Sequence, residues 1–577
     1  YQGSQIFYRE VIPSRGFQSS VDYKQIIGLG KLAKIDSMII VWPDRSTTRF
    51  DNPAINKVYD IQEAKEKREQ PGIAKRVLDS TLLILVKSNF DKHEEDNNID
   101  FYYEHNVPKM LSREGPKAAV GDVNGDGLDD IYIGGTQVHP GQLYLQTASG
   151  KFEKKTEPGF LPFSDFEDEA VLFFDADRDG DLDLFVGPGG NNSHAYSRQM
   201  QNRLFLNDGK GDFTIDPKAF PNNLNGANTG VAIADDFNHD GFMDLFVGGR
   251  SVPREYGSQP ASFLYVNDGK GHFKDVAATK NPDIAHIGMV TGACWADIDG
   301  VRQKDLVIAG EWMTPRIFSF KKDHFVEIKT NLQNLFGWWE SVAAADVNGD
   351  GKMDLILGNI GENFYLHPDS AKPVKLWVND YDDNGNIDNI LTRTIDGKDM
   401  PVFLKRDMEI QIPSLKKQNL KHSAYAKKTI QDLFPAALLD SSLVKKFNYC
   451  SSIIALNEGN GEFKIKLLPQ MVQFSSVNAI RCLDLNQDGY PDFVLGGNEF
   501  GFLPQFGRLD ASFGHVLIND GKGNLHWLGT DRSGLEVTGQ TRDIAPIKVK
   551  GKTCLLFLIN DEYPVLYEIN RQQKKLY

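Results

Sequence analysis

The sequence predicts an all-β chain: a β-propeller of seven four-stranded antiparallel blades, with eight as the alternative count, preceded by a small β module and carrying a helical insertion. Three observations lead there. First, one phrase recurs, an apolar strand, an acidic loop, a second apolar strand and a glycine pair. It reads AAVGDVNGDGLDDIYIGG from Ala118, AVLFFDADRDGDLDLFVGPGG from Ala170 and VAIADDFNHDGFMDLFVGG from Val231, and returns from Ala293, Ala343 and Ala479. The loops open at 122, 175, 236, 297, 346 and 484, so the intervals are 53, 61, 61, 49 and 138 residues. Such a period, with several short strands per unit, is that of propeller blades rather than a helical solenoid. Second, most loops are followed by a strand ending in a tight glycine turn, as at Asn207–Gly211, Asn267–Gly271, Asn457–Gly461 and Asn519–Gly523. Asn-Asp-Gly between alternating strands supplies a hairpin turn that needs positive φ, so each unit holds two hairpins and four strands. Third, 577 residues exceed what one ordinary compact core serves, which favours a repeat architecture.

In chain order, residues 1–63 read as a small β module, with strand-like runs such as DSMIIVWPD from Asp36 to Asp44. A charged linker follows at 64–80. The propeller occupies 81–577, and the last stretch, from Thr541, has the strand rhythm without the acidic loop and counts as blade seven. Its missing outer strand is expected from the N-terminal side, at Thr81 to Val86, which would close the ring and remove free sheet edges. The interval of 138 residues contains an insertion. Residues 395–447 lose strand alternation and gain Lys-rich helical patterning (Pro413 to Phe434), and the irregularity of 374–467 is what leaves an eighth blade open.

The first acidic loop is Asp122-x-Asn124-x-Asp126-Gly127-x-x-Asp130. A hard cation takes six to eight oxygens at short range, and carboxylates alternating with spacers turn every second side chain inward. Glycine at the sixth position permits the sharp turn. The same spacing gives Asp175, Asp177, Asp179 and Asp183; Asp236, Asn238, Asp240 and Asp244; Asp346, Asn348, Asp350 and Asp354; and Asp484, Asn486, Asp488 and Asp492. The fourth loop keeps Asp297, Asp299 and Asp305 but has Val301 where the third carboxylate belongs, so it is expected to be empty or weak. An additional copy, Asp380, Asp382, Asn384 and Asp388, reads as a blade's outer hairpin turn enlarged into a cation site. Oxygen ligands without His or Cys favour calcium, about five to six structural ions acting as staples for hairpin loops.

The net charge of -15 excludes counterion-driven nucleic-acid binding and attraction to anionic lipid. The longest apolar runs fall far short of the roughly 20 residues of a spanning helix. The four cysteines form no CxxC pair, which argues against a zinc or redox site. The chain begins at Tyr1 rather than Met, so it reads as a mature product or a fragment.

The repeated unit resembles the FG-GAP/VCBS-type repeat, whose blades in integrin α-chain propellers carry calcium in such loops. SRGFQSS (Ser14 to Ser20), IGLGK (Ile27 to Lys31) and IIVWPDRS (Ile39 to Ser46) resemble an ASPIC/UnbV module. The resemblance implies an exported protein, extracellular or at the cell surface in association with an outer membrane, that binds calcium and acts in adhesion or ligand capture. A protein or glycan partner is implied, or an outer-membrane transporter complex in which the chain is an accessory subunit.

No metalloprotease, nucleophile-elbow or phosphate-loop motif is present, so a non-enzyme is expected, with a glycan-active enzyme as the remaining catalytic reading. Candidate ligand-binding residues are aromatics beside glycines: Trp312, Trp338, Trp339, Phe500 and Phe502. Exposed, they suit sugar faces or a protein hot spot; buried, they pack between blades.

Overall fold

A computed structural model describes all residues except 4, 13–18, 44–46, 64–80, 222–224, 419–420 and 572–577. The linker assigned to 64–80 and most of the SRGFQSS segment therefore lie outside the described residues. The chain divides into two compact units, Tyr1–Ser80 and Thr81–Tyr577. In the first, Ser37–Val41 pairs antiparallel with Thr47–Asp51.

The second unit is a propeller of seven blades among the described residues. Each blade has four antiparallel strands, the inner ones being Ala118–Gly121, Asp168–Phe174, Asn228–Asp235, Met289–Ala296, Gly337–Ala345, Val477–Leu483 and Gln540–Val549; blades four and five are further joined into one eight-stranded sheet where Glu311 and Met313 pair with Trp338 and Gly337. Neighbouring inner strands contact one another all the way round, from the first to the seventh and back. In blades one to six the second strand is the apolar run after the acidic loop, such as Asp183–Pro188, and is buried along its whole length. Both of its faces meet other sheets, which is why it reads as a continuous hydrophobic stretch rather than an alternating one. Seven apolar layers result, one between each pair of neighbouring blades; Leu184, Val186, Ala119 and Tyr132, for example, share the layer between blades one and two.

The ring closes as the sequence predicts. Leu83–Val86, which precedes blade one, pairs antiparallel with Val565–Ile569, the third strand of blade seven, with Leu83 opposite Ile569 and Val86 opposite Leu566. The first and last parts of the unit are thereby hydrogen-bonded into one sheet, which gives blade seven its fourth, outermost strand.

The irregular stretch is not an eighth blade. Between the second and third strands of blade five lies an inserted unit with its own sheet, ordered Lys398–Pro401, Asp388–Ile395, Val374–Asn379 and Leu443–Phe447. Five short helices, Lys405–Gln411 to Ala436–Asp440, connect two of these strands. Blade five keeps its own outer hairpin, Ile453–Gly459 with Glu462–Leu467. The Asp380 loop thus joins two strands of the inserted sheet, not the outer strands of a blade, because Asn457–Gly461 already fills that place.

This topology gives the propeller two unlike faces. Acidic loops and Asn-Asp-Gly hairpins both lie where inner strands end, so all belong to one face. The insertion and the segment 87–117, which joins Val86 to blade one, lie at the opposite strand ends and cover the other face.

Candidate metal centres

Among the described residues seven acidic loops, the six in the blades and the one at Asp380, share a backbone. The fourth and sixth positions have positive φ in each: Gly125 and Gly127 at 74° and 80°, Arg178 and Gly180 at 69° and 96°, His239 and Gly241 at 62° and 90°. The first Asp is the hub that holds this shape. Asp122 Oδ1 accepts from the amide of Gly125 at 2.8 Å and Oδ2 from that of Gly127 at 2.7 Å. Asp346 repeats this with Gly349 at 2.8 Å and Gly351 at 2.9 Å, and Asp484 with Gly489 at 3.0 Å. The third residue adds a shorter brace: Asn124 and Asn486 each accept the amide two positions on at 3.0 Å.

The ninth Asp is built in differently. Asp130, Asp183, Asp244, Asp354 and Asp492 have no exposed surface. Asp183 Oδ2 accepts from Ala176 N at 2.9 Å, and its Oδ1 accepts from Asn207 N, on the blade's third strand, at 2.9 Å. Asp492 does the same with Leu485 and Asn519. Burial pushes these carboxyls up, Asp130 to about 6 and Asp183, Asp244 and Asp492 to about 7. A desolvated carboxylate of this kind gains most from a cation beside it.

In three loops, carboxylate oxygens converge to within 4.8 Å of one another: Asp175, Asp177 and Asp183; Asp297, Asp299 and Asp305; and Asp380, Asp382 and Asp388. The loops opening at Asp122, Asp236, Asp346 and Asp484 have an Asn amide oxygen in the third place. The donor set is all oxygen, on flexible loops, and fits a hard divalent cation with irregular coordination, as calcium has. The loop at Asp297, expected to be empty or weak, nonetheless gathers its three carboxylates.

Sequence reasoning treated the hairpin asparagines as turn residues only. Asn207 Nδ2 donates to Val123 O of the preceding blade's loop at 2.8 Å and to Leu182 O of its own at 3.1 Å. Asn267 does the same with Ala176 O and Met243 O, and Asn457 with Ile298 O and Met353 O. The loops opening at Asp122, Asp175, Asp297 and Asp346 are therefore each clasped to the next blade through the carbonyl of the loop's second residue. At the ring closure, Gln146 takes the part of Asn and donates to Lys548 O of the loopless blade seven at 3.0 Å.

The proposed ligand-binding aromatics do not form a surface. Trp338 and Trp339 are fully buried, and Trp312 and Phe502 nearly so. Trp312, Trp338 and Phe502 belong to the apolar cluster that seats the insertion and segment 87–117 on the covered face, with Trp338 5.1 Å from Trp312 and 5.5 Å from Phe447 between ring centroids. Trp339 packs between blades four and five. Phe500 alone is half-buried, with the Arg508 guanidinium 4.7 Å above its ring. Large apolar side chains were needed here because the insertion must bury one face against the propeller, a demand that single glycine-aromatic pairs do not reveal.

Beneath that cover lies a buried charge cluster. Lys109 of segment 87–117 is fully buried, its Nζ 2.6 Å from Glu311, 3.2 Å from Glu340, 3.6 Å from Glu499 and 3.7 Å from Glu114. Burial alone would lower its pKa; the four glutamates outweigh it and raise it. Arg250 joins at Glu311, 2.7 Å, and Arg542 at Glu499, 3.3 Å. Around the axis, six inner strands have a β-bulge at the same level, and the residue it sets free is Glu169, Gly230, Thr291, Glu340, Asn478 or Arg542. These line a narrow axial space together with Lys117, Glu114 and Arg250. A bulge re-aims a side chain out of the pleat, and no shared residue type marks these positions in the sequence.

Comparison with known proteins agrees with the repeat. Residues 1–68 match the family model described as ASPIC and UnbV, and the FG-GAP-like repeat matches 122–186, 236–300 and 302–357. The chain is an FG-GAP repeat protein with an N-terminal ASPIC and UnbV module. No curated protein matches it. The solved structures that align with the chain include two of low sequence identity. The biofilm matrix protein Bap1 of V. cholerae is 9% identical over 85% of this chain and 91% of its own, with a TM-score of 0.34. An ancestral GH74 enzyme is 10% identical over 80% of this chain and 48% of its own, with a TM-score of 0.38. Among the described residues no helix is long and apolar enough to cross a membrane.

Proposed function

We propose that this FG-GAP repeat protein is a calcium-stapled binding module without catalytic activity, acting outside the cell or at its surface on a protein or glycan partner. One observation carries the calcium part: loops of nearly identical backbone recur at blade spacing, each ending in a fully or almost fully buried Asp that the fold has desolvated. The first, third and fifth residues would hold the ion with that Asp, and the ion would fix a hairpin already clasped to its neighbour. Loops of this type in extracellular modules bind calcium at roughly 10⁻⁴–10⁻³ M, which suits a calcium-rich compartment. The binding part is supported by the exposed loop face, where connecting segments are free to carry recognition on a rigid scaffold.

Chelation tests it. Removing calcium with EDTA is expected to lower the unfolding temperature by about 10 °C or more, since several sites bind only the folded state. A melting curve indifferent to EDTA would sink the staple. Calcium-dependent retention on a glycan or protein array, with no reducing ends released from polysaccharide, is the outcome expected of a non-catalytic binder.

A further inference from the structure

Of the residues that line the narrow axial space, Glu114, Glu169, Arg250, Asn478 and Arg542 carry buried polar atoms with no hydrogen-bond partner among the described residues. We propose that this space binds a single small anion of halide size, held by the guanidinium N–H groups of Arg250 and Arg542 and by the carboxyl of Glu169. The ion ties blades two, three and seven together across the axis, and its site is separate from the acidic loops.

The donors are counted first. Arg250 commits Nη2 to Glu311 at 2.7 Å and keeps Nε and Nη1 unpaired. Arg542 commits Nη1 to Glu499 at 3.3 Å and Nη2 to Arg113 O and Gln540 at 2.8 and 3.2 Å, and keeps Nε unpaired. These side chains are 2% and 3% exposed. A guanidinium N–H can only donate, and a buried one left unpaired is costly. Glu169 is equally buried and leaves Oε2 unpaired. Burial pushes its carboxyl up to about 8, so at neutral pH it carries a proton and donates as well.

The acceptors are fewer. Glu114 Oε1 already lies 3.7 Å from Lys109 Nζ and 4.0 Å from Arg542 Nη1. Asn478 presents Oδ1 because its Nδ2 is spent on Asn498 O at 2.9 Å. This excess of donors selects the ligand. The space has room for about one or two bodies of water size. A water molecule accepts two hydrogen bonds, whereas a halide accepts from every side. A cation is refused, because Lys117, Arg250 and Arg542 all line the space. Gly230 helps to shape it: a Cβ there would collide with the Val290 carbonyl and crowd Arg250.

The balance of charge is kept when the anion enters. With Glu169 neutral, the cations Lys109, Lys117, Arg250 and Arg542 stand against Glu114, Glu311, Glu340 and Glu499. Glu340, which burial pushes up to about 7 against the pull of Lys109 and Arg250, can then take a proton from solvent.

Crystals grown with bromide as the only halide test the site directly. The expected result is an anomalous peak within hydrogen-bonding reach of Arg250, Arg542 and Glu169. Density there without anomalous signal would mean water only and would overturn the proposal, as would bromide at surface positions alone. In solution, at one calcium concentration and one ionic strength, the unfolding temperature should be about 2 °C or more higher in bromide than in isethionate, which is too large for the space. Arg250→Lys keeps a charge opposite Glu311 but removes the Nε and Nη1 donors, so this difference should largely vanish. Equal unfolding temperatures of the wild type in the two salts, or a bromide response in R250K equal to that of the wild type, would overturn the anion site. Should R250K fail to fold, the peak and the salt comparison in the wild type decide.

Discussion

Asp126 and Asp240 stand exposed on the loop face, while on the covered face Lys109 is buried among four glutamates. Both faces concentrate charge, by opposite means. The loop face uses short local segments, and its carboxylates await an exchangeable partner from solvent. The covered face uses side chains brought from blades three to seven and from segment 87–117, and its charges are balanced within the chain. On the calcium reading proposed above, the loop face is where conditions and ligands would act, whereas the covered face fixes the ring.

The largest effect expected from breaking this contrast is at Lys109. Lys109→Ala leaves Glu311, Glu340 and Glu499 without their shared cation in a dry interior, and removing one partner of a buried ion pair costs about 3–5 kcal/mol. Chemical denaturation should show that loss equally with and without calcium. A loss that calcium restores would mean that the two faces are not independent.

Asn267 sharpens the other side. Its Nδ2 bridges the loop of blade two to blade three, and Asn267→Ala removes both bonds; the Met243 carbonyl must find another donor, while Ala176 O keeps the Gly271 amide at 3.1 Å. The expected cost is about 1–3 kcal/mol. Here the loss should depend on calcium, because an ion in the Asp175 loop orders the same backbone that the clasp holds. Equal losses in calcium and in EDTA would assign the clasp to the scaffold alone.

These two residues also mark what the sequence makes legible. The loops can be read from nine consecutive residues, because a cation shell and a hairpin turn are local demands that fix residue type by position. Strand Leu83–Val86 could be placed on blade seven because an open edge needs a partner. Asn267 was visible, but only as a turn former, since its carbonyl partner Ala176 lies 91 positions away. Lys109 carried no signal: Glu340 is 231 positions from it, and a lone lysine in an apolar stretch does not announce four acids. The tryptophans at 312 and 338 misled for a related reason. Glycine beside an aromatic marks a close approach, and the approach here is of the insertion, whose own sheet the Lys-rich helical pattern concealed.

The smallest effect expected separates the faces by pH. Burial first, and then the nearby Glu114, push the Glu169 carboxyl up to about 8, against the lowering influence of Arg250, Lys117 and Arg542. Its ordinary value is 4.5, so between 4.5 and about 8 the folded chain holds a proton there that the unfolded chain releases. Stability from this group is therefore full below 4.5 and is lost as pH rises through about 8. Glu114 has the opposite sign: Lys109 and the two arginines outweigh its burial and hold it down at about 2, so its contribution is present above 4.5 and is lost as pH falls toward 2. In saturating calcium, where the loop carboxylates stay ionised, the unfolding temperature should fall on going from pH 6 toward pH 8. Glu169→Gln keeps the shape and removes one titration, so it should reduce that fall, the rest coming from Glu95, Glu104 and Glu340, which burial pushes up to about 7, and leave the acid limb unchanged. A slope in E169Q equal to that of the wild type would show that Glu169 ionises freely in the axial space and that the covered face is wetter than its burial implies.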